Sequence, residues 1–225
     1  LTDNADCVLT GGTESMSQAP YVVKGARWGI RLGPTQLQDC LWAALTDAYV
    51  KLSMGMSTEG LAKDKNISRK EADAYAYRSQ MVYKQAYEAG LFHEEIVPVE
   101  LKDHKGVPTQ FGKDEHPRME TTLEDLAALK PTFVKDGVVT AGTASGITDG
   151  AAATIVVSAE AAKRLGVQPI GRLLGWAVSG CDPKRMGIGP ALAIPKALQK
   201  VGLSLREIDL IEVYEAFSAQ YLAVE

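Results

Sequence analysis

Cysteine is scarce in this chain. Its 225 residues include three, Cys7, Cys40 and Cys181, odd in number and widely spaced, with no CxxC pair and no histidine pair nearby. That pattern argues against a secreted disulfide framework and a cysteine-ligated zinc site, and predicts buried or half-buried thiols in a reducing compartment. Histidine is equally sparse. His93, His104 and His116 share one polar stretch without the i, i+4 spacing of a helical metal site, so they are expected at the surface. Long apolar runs are missing too: stretches such as Ala151 to Val157 fall far short of the roughly 20 residues needed to cross a bilayer. Charge of one sign is not in excess. Lys and Arg number 24 against 28 Asp and Glu, a net charge of -4, which points to no nucleic-acid partner and no acidic membrane surface; any anion site has to be local.

Several nucleotide and nucleophile motifs are also absent. Gly187-Ile-Gly189-Pro190-Ala191-Leu192 has leucine where a dinucleotide fingerprint needs its third glycine, and no strand runs directly into it. In Gly142-Thr-Ala-Ser145-Gly146 the serine stands one position late for a hydrolase elbow, and no P-loop occurs. What is present is an ordinary folded composition, 46% hydrophobic and 23% charged, long enough for one large domain or two modest ones.

The pattern divides into three regions. Residues 1 to 17 read as a short buried strand leaving through Gly11-Gly12, where the glycines permit a tight turn or a close backbone approach. Residues 18 to 149 read as an excursion from a sheet. Its strongest helix begins at Ser68, with Glu71 completing a capping box, and runs to Gly90 with Ala72, Tyr75, Ala76, Ser79, Val82, Tyr83 and Ala86 on one face. A second box, Thr121 with Glu124, predicts a shorter helix through Leu129 that Pro131 stops. Between them Glu95 to Leu101 alternates as a strand does, and His104 to Pro117 is polar and turn-rich. Lys24, Arg27 and Arg31, set among Gly25, Gly29 and Gly33, read as a mobile basic loop, either solvated or binding. From Gly150 onward strands and helices alternate: a strand at Ala152 to Val157, a helix from Ser158 to Gly166, a strand at Arg172 to Val178, a helix at Pro190 to Gly202, and a strand at Ile208 to Val213 leading into another helix. This is α/β wiring, in which functional groups collect at the strand-to-helix turns. The sequence opens at Leu1 without an initiator methionine or targeting segment and closes at Glu225 inside an apparent helix, so the chain is expected to be an internal piece of a longer one.

Four strings in fixed order carry more information than any single motif: Gly11-Gly-Thr-Glu-Ser-Met-Ser17, Thr140-Ala-Gly-Thr-Ala-Ser-Gly-Ile-Thr-Asp-Gly-Ala151, Asp182-Pro-Lys-Arg-Met-Gly-Ile-Gly-Pro190 and Glu212-Val-Tyr-Glu-Ala-Phe-Ser-Ala-Gln220. Together they resemble consecutive signatures of the thiolases, above all the mitochondrial, degradative branch, over essentially the whole chain. The resemblance implies a thiolase-like α/β fold, five-layered α/β/α/β/α in the full family member. Residues 1–17 would be the end of the N-terminal half, 18–149 an inserted loop domain covering CoA, 150–168 the last strand and helix of that half, and 169–225 the start of the C-terminal half. It implies thiolytic cleavage of 3-ketoacyl-CoA by CoA in fatty-acid β-oxidation, with CoA as co-substrate, no permanent cofactor, no metal, a homodimer or homotetramer, and the mitochondrial matrix as location.

That reaction needs a thiolate that forms an acyl-enzyme, a base, and donors for the developing oxyanions. Cys7, Cys40 and Cys181 match neither of the family's catalytic-cysteine contexts and are expected to be packing residues; the nucleophile and the downstream Gly-His-Pro and acid/base cysteine are expected outside this chain. What the chain is expected to supply is the CoA and acyl site. Arg118 resembles the arginine that pairs with CoA phosphate, a role suited to a planar fork of donors, and Thr121 lies at a helix start that favours anions. Ser145 resembles the serine that contacts the pantetheine arm, with Ala141 and Phe133 lining the same tunnel, and Leu45, Met54, Met186 and Phe217 resemble the apolar wall around the thioester.

Three departures stand out. Tyr214 occupies the place of the asparagine that holds an oxyanion-hole water in Val-Asn-Glu-Ala-Phe. Tyrosine is longer and would displace that water unless its own hydroxyl donates, and loss of one such donor costs about 10²–10³ in rate. Thr143 replaces an asparagine, with a milder structural effect expected, and Ser53 replaces a histidine found in short-chain biosynthetic members, which favours the degradative branch. A rival reading is a catalytically inactive acyl-CoA-binding protein. On either reading the 225 residues alone are expected to aggregate, because strand edges and apolar helix faces would be left open.

Overall fold

The computed structural model describes residues 5–225. In chain order its strands and α-helices are β1 (Cys7–Ser15), β2 (Tyr21–Val22), β3 (Gln38–Asp39), α1 (Cys40–Ala44), α2 (Met54–Asp64), α3 (Arg69–Glu88), β4 (Val99–Lys102), β5 (Pro108–Phe111), α4 (Leu123–Ala128), β6 (Asp149–Val157), α5 (Ala159–Leu165), α6 (Gly189–Val201) and α7 (Ser218–Val224). They fall into two compact units. The first takes the residues up to Met54, Ile147–Pro183 and Gly189–Glu212; the second takes Gly55–Gly146, Lys184–Ile188 and Val213–Glu225.

In the first unit β1 and β6 pair antiparallel from Cys7 opposite Val157 to Ser15 opposite Asp149, so the chain leaves this ladder at Ser15 and rejoins it at Asp149. Gly11 is required there: a Cβ would lie 2.6 Å from the Ala152 carbonyl oxygen. The ladder's exit is fixed by Asp149, which accepts from the Ser17 amide at 2.9 Å and from its hydroxyl, and these bonds hold the Asp149 carboxyl below its usual range. The expected buried strand is instead exposed at every position of β1, and the two glycines lie within the strand rather than in a turn. Each strand has a single ladder partner among the described residues, and Leu9 and Ile155 remain 75% and 68% exposed. Cys7, expected to be buried or half-buried, is exposed for the same reason, whereas Cys40 and Cys181 are half-buried. Residues 1–4 of that first segment lie outside the described residues.

Local capping signals in this unit are realised. Ser158 caps α5 by accepting from the Ala161 amide, Gly166 closes it at φ +66°, and α6 spans Gly189–Val201 with Pro190 at its start. The segments 172–178 and 208–213 form no strand, because neither finds a ladder partner among the described residues. The basic segment is exposed, its three glycines all take positive φ, and β2 and β3 pair across its ends.

In the second unit α3 has the expected capping box: the Ser68 hydroxyl accepts from the Glu71 amide at 3.2 Å, and Glu71 accepts from the Ser68 amide at 2.7 Å. Gly90 follows at φ +72°. The buried positions are Ala72, Asp73, Tyr75 and Ala76; Val82, expected on the packed face, is 49% exposed because the packed stretch is confined to the helix's first turns. Burial of Asp73 is offset by Arg69, whose Nε donates to both its carboxylate oxygens and whose Nη2 donates to the carbonyls of Leu126 and Leu129 at the end of α4. The α4 box sits one residue later than expected, Thr122 with Asp125, since the Thr121 amide is already committed to the Arg118 carbonyl. The strand expected at 95–101 is shifted to Val99–Lys102, paired with β5: Pro98 has no amide proton to offer, and Ile96 donates back into a turn at Phe92. Ala62, Ala72, Val138, Val139 and Ala219 form the core of this unit, flanked by Ile67, Phe133, Ala144 and Phe217, and α3 and α7 pack closely there.

Candidate functional site

A glycine-bearing loop at 137–146 is the centre of the second unit, and α2 fixes its entry. The Glu59 carboxylate accepts from the Val138 amide at 3.0 Å and the Val139 amide at 2.9 Å, so each oxygen satisfies one buried backbone donor. Gly137 must pass directly beneath it, since a Cβ there would stand 2.3 Å from Glu59 Oε1. The loop is then braced internally. Buried Thr143 donates to the Val138 carbonyl at 2.9 Å and accepts from the Thr140 amide at 2.8 Å. A hydroxyl thus performs the structural bonding of this turn.

Its exit is bound to the segment before α7. The Ser145 amide donates to the Ala216 carbonyl at 2.9 Å, and the Ser218 amide donates to the Thr143 carbonyl at the same distance, forming an antiparallel bridge between Ala144 and Phe217. Glu215 on that segment is held from α3: the Tyr75 hydroxyl donates to one carboxylate oxygen at 2.5 Å and the Ser79 hydroxyl to the other at 2.6 Å. Burial, and secondarily the Glu215 bond, push the Tyr75 phenol well above its usual range, so it stays protonated as a donor. These groups enclose a cavity of about 190 Å³ whose polar lining includes Tyr75, Ser79, Gln80, His116, Ser145 and Glu215. His116 lies against the loop, where a Cβ on Gly146 would come within 1.9 Å of its ring.

A second, more open cleft of about 510 Å³ is formed by residues 110–115 and 117–119 and includes Lys113, Asp114, Glu115 and Arg118. Arg118 is exposed, its amide donates to Gln80 Oε1 at 2.7 Å, and its Nη1 donates to the Glu115 carbonyl at 3.1 Å. Gln80 lines the first cavity, so one α3 side chain stands in that cavity's wall and also holds the Arg118 backbone of the second cleft.

The residues expected from the sequence are distributed as follows. Ser145 is exposed in the first cavity and Arg118 in the second; Thr121 is half-buried, one residue before the α4 cap, and Ala141 is exposed. Phe133 and Phe217 pack against the core cluster, with the Phe133 ring filling the space beside Gly55. Met186 is 37% exposed on a segment that Ser57 and Arg185 tie to α2, through the Lys184 carbonyl and Asp64 respectively. Leu45 and Met54 belong to the first unit, where the Met54 amide donates to the Leu45 carbonyl at 3.0 Å beside a bridge between Thr46 and buried Ser53. Tyr214 is 74% exposed. Glu59, Gln80, His116 and Glu215 are residues of this region that the sequence alone does not point to. The only sequence signals for them were the i, i+4 pair Tyr75 and Ser79 on the predicted helix face and the place of Glu215 beside Tyr214. Among the described residues no cluster of His, Cys, Asp and Glu is placed to hold a metal, and no helix is long and apolar enough to cross a membrane.

Comparison with known proteins gives a consistent result. Residues 1–160 match the family described as thiolase, N-terminal domain, and residues 167–225 match thiolase, C-terminal domain. The chain is 54% identical over 222 residues to human mitochondrial 3-ketoacyl-CoA thiolase, covering 98% of this chain and 56% of that protein. The crystal structure of the human mitochondrial 3-ketoacyl-CoA thiolase in complex with CoA superposes with a TM-score of 0.91 at 52% identity, over 97% of this chain and 54% of that one. Acetyl-CoA acetyltransferase from Bacillus anthracis gives a TM-score of 0.94 at 47% identity, over 98% of this chain and 56% of that one. The chain therefore spans about half the length of the curated relatives it matches.

Proposed function

Since the chain belongs to the thiolase family and has its α/β fold, we propose that the protein is an acyltransferase that cleaves 3-ketoacyl-CoA with CoA, releasing acetyl-CoA and a shortened acyl-CoA. The observation that carries this reading is the exposed Ser145, presented to a polar cavity by a loop whose backbone is bonded at both ends, with Arg118 in the adjoining cleft. Ser145 and Ala141 are assigned to the pantetheine arm with Phe133 behind them, and Arg118 and Thr121 to the CoA phosphates. Leu45, Met54, Met186 and Phe217 keep the acyl-wall role that the resemblance implies.

The route is ping-pong: a cysteine thiolate attacks the 3-keto carbon, the C2–C3 bond breaks to release acetyl-CoA after protonation of its enolate, and the CoA thiol then takes the acyl group. That cysteine is none of Cys7, Cys40 and Cys181, and lies in the part of the family's length that this chain does not span. The domain roles expected above, a loop domain at 18–149 set between 1–17 and 150–168, with 169–225 opening the second half, belong to this proposal. So do a homo-oligomeric state, a place in fatty-acid β-oxidation, and a mitochondrial location, the last supported by the names of the relatives.

A second reading, an acyl-CoA-binding member without turnover, is favoured by Tyr214 at the oxyanion asparagine's place. One experiment separates the two. The purified protein, including the nucleophile-bearing part of the family's length that this chain does not span, is given a 3-ketoacyl-CoA with and without CoA while acetyl-CoA release is followed, and CoA binding is measured calorimetrically. CoA-dependent acetyl-CoA release supports the enzyme, binding alone supports the second reading, and neither would overturn both.

A further inference from the structure

We infer that Gln80 is a positioning residue for recognition of the nucleotide end of CoA, acting through the backbone of Arg118. The inference rests on the CoA-binding reading above and goes beyond it by naming the group that orients the arginine. Three observations carry it.

The segment bearing Arg118 lies outside regular secondary structure and is tied to α3 through side chains, with Tyr83 donating to Asp114 at 3.3 Å and Lys113 over the Tyr87 ring at 5.5 Å from its centroid. Residues 111–116 are all exposed, Pro117 and Met119 are half-buried, and the nearest regular elements, β5 and α4, end at Phe111 and begin at Leu123. A guanidinium on such a segment samples many positions, and each rotamer fixed on binding costs affinity. The Gln80 Oε1 accepts from the Arg118 amide at 2.7 Å, a short side-chain-to-backbone bond that fixes the Cα from which the guanidinium projects. The Arg118 Nη1 then folds back to the Glu115 carbonyl at 3.1 Å, which leaves the other guanidinium nitrogen donors for an anion.

Gln80 is itself held by a rigid element. It lies on the 20-residue α3, capped by Ser68 and Glu71, stacked through Tyr75 on Tyr221 with ring centroids 4.4 Å apart, and tied by its neighbour Ser79 to Glu215. Lys84, one turn further along, pairs with Glu120 at 2.8 Å. Contacts of α3 therefore bracket the arginine in sequence, Tyr83 with Asp114 before it and Lys84 with Glu120 after it, with Gln80 at Arg118 itself.

The test uses Gln80→Met, which keeps the length of the side chain and removes its acceptor, and Gln80→Ala as a second variant, both checked for an unchanged circular dichroism spectrum. Binding of CoA is compared with binding of pantetheine, which has the thiol arm and no nucleotide. Loss of one net hydrogen bond predicts about fivefold weaker CoA binding, with pantetheine, which shares only the first cavity that Gln80 also lines, weakened less, and with the difference between the two ligands absent in an Arg118→Ala background. Equal weakening of CoA and pantetheine would show a merely structural role and overturn the inference, as would an undiminished effect in the Arg118→Ala background or a CoA affinity unmoved by Gln80→Met. A wild-type protein that binds neither molecule would remove the CoA-binding reading itself and this inference with it. Failure of the inference alone is recognised by wild-type CoA binding that persists.

Discussion

Replacing Glu59 with glutamine tests whether one carboxylate holds the loop that carries Ser145. In the native protein its two oxygens accept from the amides of Val138 and Val139, at 3.0 and 2.9 Å, and those two residues are 9% and 1% exposed. Glutamine keeps one acceptor and turns an NH2 group toward the other amide, so one hydrogen bond is lost and a buried N–H faces a donor. A bond to a charged group contributes about 1.5–3 kcal/mol and an unsatisfied buried donor costs about 1–3 kcal/mol. These are overlapping accounts of one loss, so the expected destabilisation is about 2–3 kcal/mol. Against a typical domain stability of about 5–15 kcal/mol this is a large effect, visible as a lower midpoint of urea unfolding with unchanged slope. Glu59→Ala leaves both donors unsatisfied and is expected to cost more. A shift below about 0.5 kcal/mol in Glu59→Gln would refute the reasoning, because it would mean that both amides find other acceptors when the carboxylate is removed.

Three further outcomes are expected. Gly55→Ala gains about 1 kcal/mol in helix propensity but sets a Cβ 2.1 Å from the Phe133 ring, so it should destabilise on balance, and urea titration should show the loss relieved in combination with Phe133→Leu. Arg118→Ala should raise the Michaelis constant for CoA and spare kcat in a thiolysis assay; an equal fall in kcat would place the arginine nearer the chemistry than proposed. Tyr214→Asn should raise turnover at least about tenfold, a fraction of the effect of one oxyanion donor, whereas an unchanged rate would mean that the tyrosine hydroxyl already serves.

Elements whose cause is local were the ones legible in the sequence. The box of Ser68 and Glu71, the Ser158 cap and the glycines after α3 and α5 each act within one helical turn, and each is realised. The α4 box was displaced by one residue because Thr121-Thr122 and Glu124-Asp125 offer the same chemistry twice, and the choice fell to a turn bond between Thr121 and Arg118. The strands were harder. Residues 172–178 and 208–213 have suitable composition, but a strand exists only with a partner, and composition carries no record of pairing. The exposure of β1 was not legible for a related reason, since an apolar run says what a strand is suited to face and not what covers it.

The candidate site divides along the same line. Ser145 and Tyr214 could be proposed from the sequence because they stand in strings that resemble a family, and Arg118 because its place resembles that of the family's phosphate-pairing arginine, whereas Glu59 and Gln80 could not, because a side chain accepting from a distant amide has no spacing signature. Glu215 shows what the structure adds to Tyr214. Its carboxylate is tied inward by Tyr75 and Ser79, Phe217 two residues on packs against the core, and the intervening Ala216 bonds through its carbonyl to Ser145. Tyr214 itself is 74% exposed, and none of these bonds is made by its side chain. The anchoring of this segment does not run through the tyrosine side chain. A substitution at position 214 can therefore change the group offered to a ligand while the hydrogen bonds that hold the segment, and with it the Ser145 loop, remain in place.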